Sequence, residues 1–407
     1  MTQESLRDRA LAYHAAPPVG KIAVYPSKAC ATQADLSLAY TPGVAEPVRE
    51  IAADPDKAYE YTAKGNLVAV ITNGTAVLGL GKVGPLAGKP VMEGKAVLFK
   101  RFADIDAFDI EVEARDADHF IDIIAAIAPG FGGINLEDIA APDCFAIESA
   151  LQERLDIPVF HDDQHGTAVI VAAALENALA LQQKQLSQCK VAIVGAGAAG
   201  LAIAHMLTHL GVGSCYLSDV HGVLREDRQD LSPWHRPFAK APSHWTLREM
   251  IADADVLIGV SVRGAIPAEL LASLAPMPVI FSLANPDPEI DPEIVRASRP
   301  DAILATGRSD FPNQVNNVLG FPFLFRGALD VLARTINREM MAAAVQALAA
   351  LAREPVPVEV CAAYGLPPGS ITFGREYIIP KPLDPRLREW VAAAVAAAAR
   401  TSGVARR

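Results

Sequence analysis

The stretch that most constrains the fold is VAIVGAGAAG, residues 191–200. An uncharged apolar run reads as a buried strand. It leads into Gly195, Gly197 and Gly200 in G-x-G-x-x-G order, and then into the helical run LAIAHMLTHLG. The first glycine permits a tight turn, the second lets the backbone approach a pyrophosphate, and the third lets helix and strand pack closely. The helix start, with Ala198 and Ala199, offers free N–H groups and a positive dipole end to phosphate. Asp219 closes the next strand, SCYLSD. It lies about 20 residues on, where a carboxylate can hold ribose hydroxyls. Glycines alone would be a weak sign, but strand, turn, helix, strand and acid together point to a bound dinucleotide. FAD usually enters through a fingerprint near the N-terminus, and here a long stretch of chain comes first. Asp219 favours NAD, because a carboxylate repels a 2′-phosphate. His221 and Arg225 could accommodate one, so NAD and NADP both stay open.

The same alternation continues along the chain. ADVLIGV, PVIFSLA and AILAT read as strands between helical stretches, which means a parallel sheet with crossover helices. MMAAAVQALAALA and REWVAAAVAAAAR read as late helices. Upstream, LVAVIT, the turn NGT and AVLGL read as a hairpin. Residues 82–94 read as a Gly/Pro-rich loop, and GKAVLFKRFA as helix or strand. FDIEVE reads as a strand and residues 117–127 as a helix. INLED and IPVFHDD read as short strands ending in acids. An Ala-rich helix over 167–181 would carry the chain from one domain to the next, and residues 225–245 read as a surface loop. The expected class is α/β: an N-terminal α/β substrate domain over 1–164, then a Rossmann-like, doubly wound parallel-sheet NAD(P)-binding domain with C-terminal helices over 165–407.

Bulk properties exclude several classes. Net charge is −11 over 407 residues, which argues against a nucleic-acid partner. No window approaches the ~20 apolar residues of a membrane span. The five cysteines are dispersed, with no CxxC pair, and read as free thiols of a reducing compartment. The polar start MTQESLRDRALAYH is no signal peptide. A cytoplasmic location is expected.

Two strand ends carry paired acids: Glu137–Asp138 in GGINLED and Asp162–Asp163 in PVFHDDQHGTA. One doublet alone reads most simply as solvated turn acids. Two, both after apolar strands and just ahead of a dinucleotide unit, point to a hard divalent cation, Mg2+ or Mn2+. His161 and His165 flank the same acids, and a zinc site is the competing reading.

At these residues the chain resembles the malic enzymes of the shorter bacterial type. The matching strings are DLSLAYTPGVAEP (35–47), GNLVAVITNGTAVLGLG (65–81), KPVMEGKAVLFKRFADID (89–106), FGGINLEDI (131–139), IPVFHDDQHGTA (157–168), the glycine unit, FSLANPDPEI (281–290), GRSDFPNQVNNVLGFPFLFRGALD (307–330) and FGREYIIPKPLDPRL (373–387). The resemblance implies oxidative decarboxylation of malate to pyruvate and CO2, with reduction of NAD or NADP. It implies Lys95 as general base, oriented by Asp162, with Tyr40 as general acid. It implies Glu137, Asp138 and Asp163 as metal ligands, and Asn285 and Asn317 as holders of substrate and nicotinamide. Lysine is a poor base at its usual pKa near ~10.4, and burial beside a dication would lower it. The malate-binding arginine of larger members aligns with Ala76. Lys82, Arg308 or a partner-subunit residue are the candidates to meet the distal carboxylate. A homodimer or larger homo-oligomer is implied. The acetyltransferase-like domain fused to some bacterial members is expected to be absent.

Two rival readings remain. An amino-acid dehydrogenase also places a substrate domain before a Rossmann domain and uses a lysine base, but it needs no acid doublets. A cofactor-binding regulatory protein without chemistry would not need Tyr40, Lys95 and all the matched acids.

Overall fold

A computed structural model describes residues 5–77 and 79–407. The chain opens with short helices: α1 (Leu6–Ala15), α2 (Gln33–Ala39), α3 (Ala45–Ala53) and α4 (Ala58–Tyr61). A capping box of Thr32 and Asp35 starts α2. None of the four helices holds a fully buried residue, and Leu6, Leu11, Leu36, Leu38 and Val48 are exposed.

The first sheet has four parallel strands: β1 (Leu67–Thr72), β2 (Asp106–Glu111), β3 (Gly133–Leu136) and β4 (Val159–His161), in the order β2-β1-β3-β4. The crossover helices are α5 (Pro85–Ala103), α6 (Ala117–Ile127) and α7 (Asp143–Arg154). Strand β1 is apolar from Leu67 to Ile71 because both of its faces are covered. The expected hairpin does not form. Both edges of β1 are already taken by β2 and β3, so no edge is open for AVLGL. The turn instead folds back on itself, with the N–H groups of Val83 and Gly84 donating to Gly74 O, and only a bridge joins Val77 to Gly81. Leu78, within AVLGL, lies outside the described residues. The loop expected over 82–94 is corrected too, since α5 begins at Pro85. Proline is tolerated there because a first-turn N–H has no helical partner anyway.

Helix α8 (Asp162–Leu181) links the two sheets. It begins five residues before the expected start, because Asp162 and Asp163 form its first turn, where the helix dipole favours carboxylates. The anticipated boundary at 164/165 therefore falls inside the first turn of a continuous helix. The helix is apolar on nearly every side and runs through the core.

The second sheet contains β5 (Lys190–Val194), β6 (Ser214–Asp219), β7 (Gly222–Val223), β8 (Val256–Gly259), β9 (Val279–Ser282) and β10 (Ile303–Thr306), in the order β10-β9-β8-β5-β6-β7. All pairings are parallel except β6 with β7. Helices α9 (Ala198–His209), α10 (Leu247–Ile251) and α11 (Pro292–Ser298) accompany it. The strand order reverses at β5, which lies between β6 and β8, and such a switch point opens a crevice at the strand ends. Helices α12 (Phe321–Asp330), α13 (Arg338–Arg353), α14 (Val358–Ala363) and α15 (Leu387–Thr401) follow. Phe321 and Phe325 of α12 pack edge-on against Phe99 of α5, with ring centroids 4.8 and 5.2 Å away. That contact ties the C-terminal helices to the first sheet, and one buried core runs through strands of both sheets. Residues 225–245 are largely irregular, as anticipated, but they are not simply a surface loop: Arg228, Leu231 and Phe238 are buried. Among the described residues no helix is long and apolar enough to cross a membrane.

Candidate active site

Strands β3 and β4 end side by side, with Leu136 opposite His161. The next residues of each carry the acids, so parallel pairing alone brings Glu137, Asp138, Asp162 and Asp163 to one edge. Helix α5 supplies the lysine. Met92, Ala96 and Phe99 bury one face of α5, and Lys95 shares it. Its Nζ lies 2.6 Å from Asp162 Oδ2 and 2.9 Å from Glu137 Oε1, and 4.2 Å from the centroid of the Phe321 ring. Lys95 is only 8% exposed and Asp162 fully buried.

Burial favours a neutral amine, yet the two carboxylates outweigh it and hold the Lys95 pKa above its ordinary value. Glu137 is pushed well above the usual carboxylate range by burial, with Asp163, Asp162 and Asp138 adding repulsion against the pull of Lys95. Such a crowd of acids suits a cation. Ligand atoms of Glu137, Asp138 and Asp163 all lie within 4.8 Å of one another. Asp138 adopts a left-handed φ of 56°, which aspartate tolerates better than most residues, and its N–H donates to Asp163 Oδ2 at 2.9 Å. The buried Asp162 Oδ1 and Asn135 Oδ1 have no hydrogen-bond partner. An all-oxygen donor set of three carboxylates fits Mg2+ or Mn2+. The zinc reading finds no support. Among the described residues this acid trio is the one candidate cluster, and His165 turns away to Glu148.

The glycine turn fits a pyrophosphate. A Cβ on Gly195, whose φ is 115°, would meet Val260 O at 2.4 Å, and one on Gly200 would meet Gly195 O at 1.8 Å. A Cβ on Gly197 would meet nothing within 4 Å, so open space for a phosphate lies beside it and the start of α9. Ala198 and Ala199 form that first turn.

Asp219 ends β6 as expected, but it is engaged. Arg228 grips both of its oxygens at 2.8 Å and also reaches Asp230. The N–H of His221 donates to Asp219 Oδ1, and Arg225 pairs with Asp227. Asn317 lies at the lysine: its Nδ2 donates to Asp162 Oδ2 at 3.2 Å, while Thr167 donates to its Oδ1. Asn285 is exposed where the two halves approach, near Gly79 and Gly307. Glu289, fully buried, ties the ends of β8 and β9 by accepting from Ser261 N, Ser282 Oγ and Ala284 N. Tyr40 stands apart, 69% exposed at the end of α2. Arg308 is paired with Asp310, and Lys82 is exposed.

These positions were matched against known proteins. The family model "Malic enzyme, N-terminal domain" matches residues 19–152, and "Malic enzyme, NAD binding domain" matches 164–361. The chain belongs to the malic enzyme family. An "NADP-dependent malic enzyme" of Halomonas elongata is 55% identical over 99% of this chain and 96% of its own length. An "NAD-dependent malic enzyme" of Rhizobium meliloti is 53% identical over 98% of this chain, which spans only 52% of that relative. The crystal structure of malic enzyme from Pyrococcus horikoshii Ot3 superposes with a TM-score of 0.89 at 47% identity, covering 99% of this chain and 92% of that one. The amino-acid dehydrogenase reading is thereby set aside, and an oxidoreductase that decarboxylates malate with NAD(P) is the family's character.

Sequence reasoning passed over Glu148, Arg228 and Glu289. Glu148 lies in DCFAIESALQER, where a glutamate reads as solvent-facing. Arg228 lies in a polar, proline-broken stretch. Glu289 is part of the quoted NPDPEI string, and its burial was the only missing fact.

Proposed function

We propose that this chain oxidises (S)-malate and releases CO2 to give pyruvate, with Lys95 as base, Asp162 as its orienting carboxylate and Tyr40 as acid. The observation that carries the reading is the buried contact of Lys95 with Asp162 and Glu137 beside a three-carboxylate cluster. Lys95 accepts the hydroxyl proton as hydride leaves C2 for the nicotinamide. The C3–C4 bond then breaks, and Tyr40 returns a proton to C3. Glu137, Asp138 and Asp163 hold the divalent cation. A cation bound there would supply Lewis acidity and would offset carboxylate charge beside Lys95. Asn317 and Asn285 orient substrate and nicotinamide at the cleft. The division of labour runs with the two sheets, substrate chemistry over 1–164 and cofactor binding over 165–407.

NADP is the proposed dinucleotide. A bare Asp219 would repel a 2′-phosphate, but the Arg228 guanidinium, which it shares with Asp230, offsets part of that charge. Side-by-side kcat/KM values for NADP and NAD test this. The reading expects NADP to be preferred, and Arg228→Ala to lower the NADP:NAD ratio at least about tenfold, the value of ~1.4 kcal/mol. An NAD preference untouched by that change would overturn it. A homo-oligomer is proposed to cover the apolar N-terminal helices and to shield Tyr40. A cytoplasmic location is part of the same reading, given five free cysteines.

A further inference from the structure

The acids of the site are held from behind. Glu148, on α7, is 6% exposed and accepts three hydrogen bonds. The N–H of His161 donates to its Oε1 at 2.9 Å, Gln164 Nε2 donates to its Oε2 at 3.1 Å, and His165 Nε2 lies 2.9 Å from Oε2. These three residues bracket Asp162 and Asp163 on both sides. From the front, the same segment is held by Lys95 and Asn317 on Asp162 and by the Asp138 N–H on Asp163. Helix α7 itself follows Glu137 and Asp138 by a short loop. One carboxylate thus joins the element that follows the first acid pair to the turn that carries the second.

We propose that Glu148 is a positioning residue that fixes the separation of the two metal-binding strand ends. Energetics favour this over a purely stabilising role. A buried ion pair such as Glu148–His165 is costly to desolvate, and apolar residues of similar shape often stabilise a core as well or better. What an ion pair with three directed bonds adds is geometry, and ligand sites depend on placement to within about 0.5 Å. The family of effects is known in scale: partners that orient metal ligands change metal affinity by about 10–100-fold. Glutamine at this position keeps the shape, but it turns one acceptor into a donor facing an N–H of His161, Gln164 or His165.

The inference rests on the metal reading of Glu137, Asp138 and Asp163, and the test separates the two. Free Mn2+ is titrated by electron paramagnetic resonance into the protein without substrate, and NADPH binding is followed in parallel by fluorescence. Wild-type protein should bind Mn2+; if it does not, the metal reading falls and this inference with it. In Glu148→Gln the Mn2+ dissociation constant should rise about 10–100-fold, while NADPH affinity stays within twofold. Should that variant not fold, Gln164→Ala and His165→Phe each remove one of the three bonds and should weaken Mn2+ binding in the same direction. Folded variants with wild-type Mn2+ affinity, or an equal loss of Mn2+ and NADPH binding, would overturn the proposal.

Discussion

In the proposed mechanism Lys95 holds a proton in one state of the site and accepts one in another, and its surroundings bear on both. Asp162 and Glu137 keep the ammonium form in place, while burial pulls the other way, so the balance turns on the charge of both carboxylates. Replacing Lys95 with alanine should lower kcat by about 10²–10⁴-fold, the usual weight of a positioned acid or base, with NADPH binding nearly unchanged. A variant turning over at the wild-type rate would remove the role. The residues differed in how plainly they could be read. The acids were legible because each doublet follows an apolar strand. Lys95 was not legible from pattern: its segment, GKAVLFKRFA, read as helix or strand with nothing to mark the lysine, and only the string resemblance pointed to it. Glu148 and Arg228 were hidden for a common reason. Polar residues in polar-looking stretches give no sign of burial until partners from distant segments close over them.

At the scale of elements, the strand–turn–helix unit folds as its glycine spacing requires, and the region around β1 does not follow its local signal. An NG step between apolar runs favours a hairpin only when a strand edge is open, and parallel pairing on both sides of β1 leaves none. Local sequence cannot report which edges are occupied, whereas the glycine spacing marks its turn directly, even though Val260 from a distant strand end also crowds Gly195. Gly200→Ala tests that turn. Its new methyl would lie 1.8 Å from Gly195 O, a backbone atom that cannot move without opening the turn. The variant should lose about 1–3 kcal/mol of stability, as forced overpacking does, and most of its NADPH affinity. An unchanged melting temperature together with unchanged NADPH binding would contradict the close approach.

For the whole molecule, the uneven distribution of apolar surface is the informative feature. The two sheets and α12, α13 and α15 share a dense core, while Leu6, Leu11, Val24, Tyr25 and Leu38 of the N-terminal stretch are each at least half exposed. So many exposed apolar side chains in one stretch of chain suit the proposed homo-oligomer interface. Light scattering after size exclusion should give a mass of two or more 43.1 kDa chains at micromolar concentration. A single-chain mass would leave Tyr40 uncovered and its acid role without support. The central claim concerns what the assembled site does to malate, and product stoichiometry with and without metal tests it most directly. With malate, NADP and Mn2+, pyruvate and reduced cofactor should form in equal amounts, EDTA should abolish both, and Mn2+ or Mg2+ should restore them. Reduced cofactor formed with oxaloacetate in place of pyruvate, or at a rate indifferent to EDTA, would contradict the account.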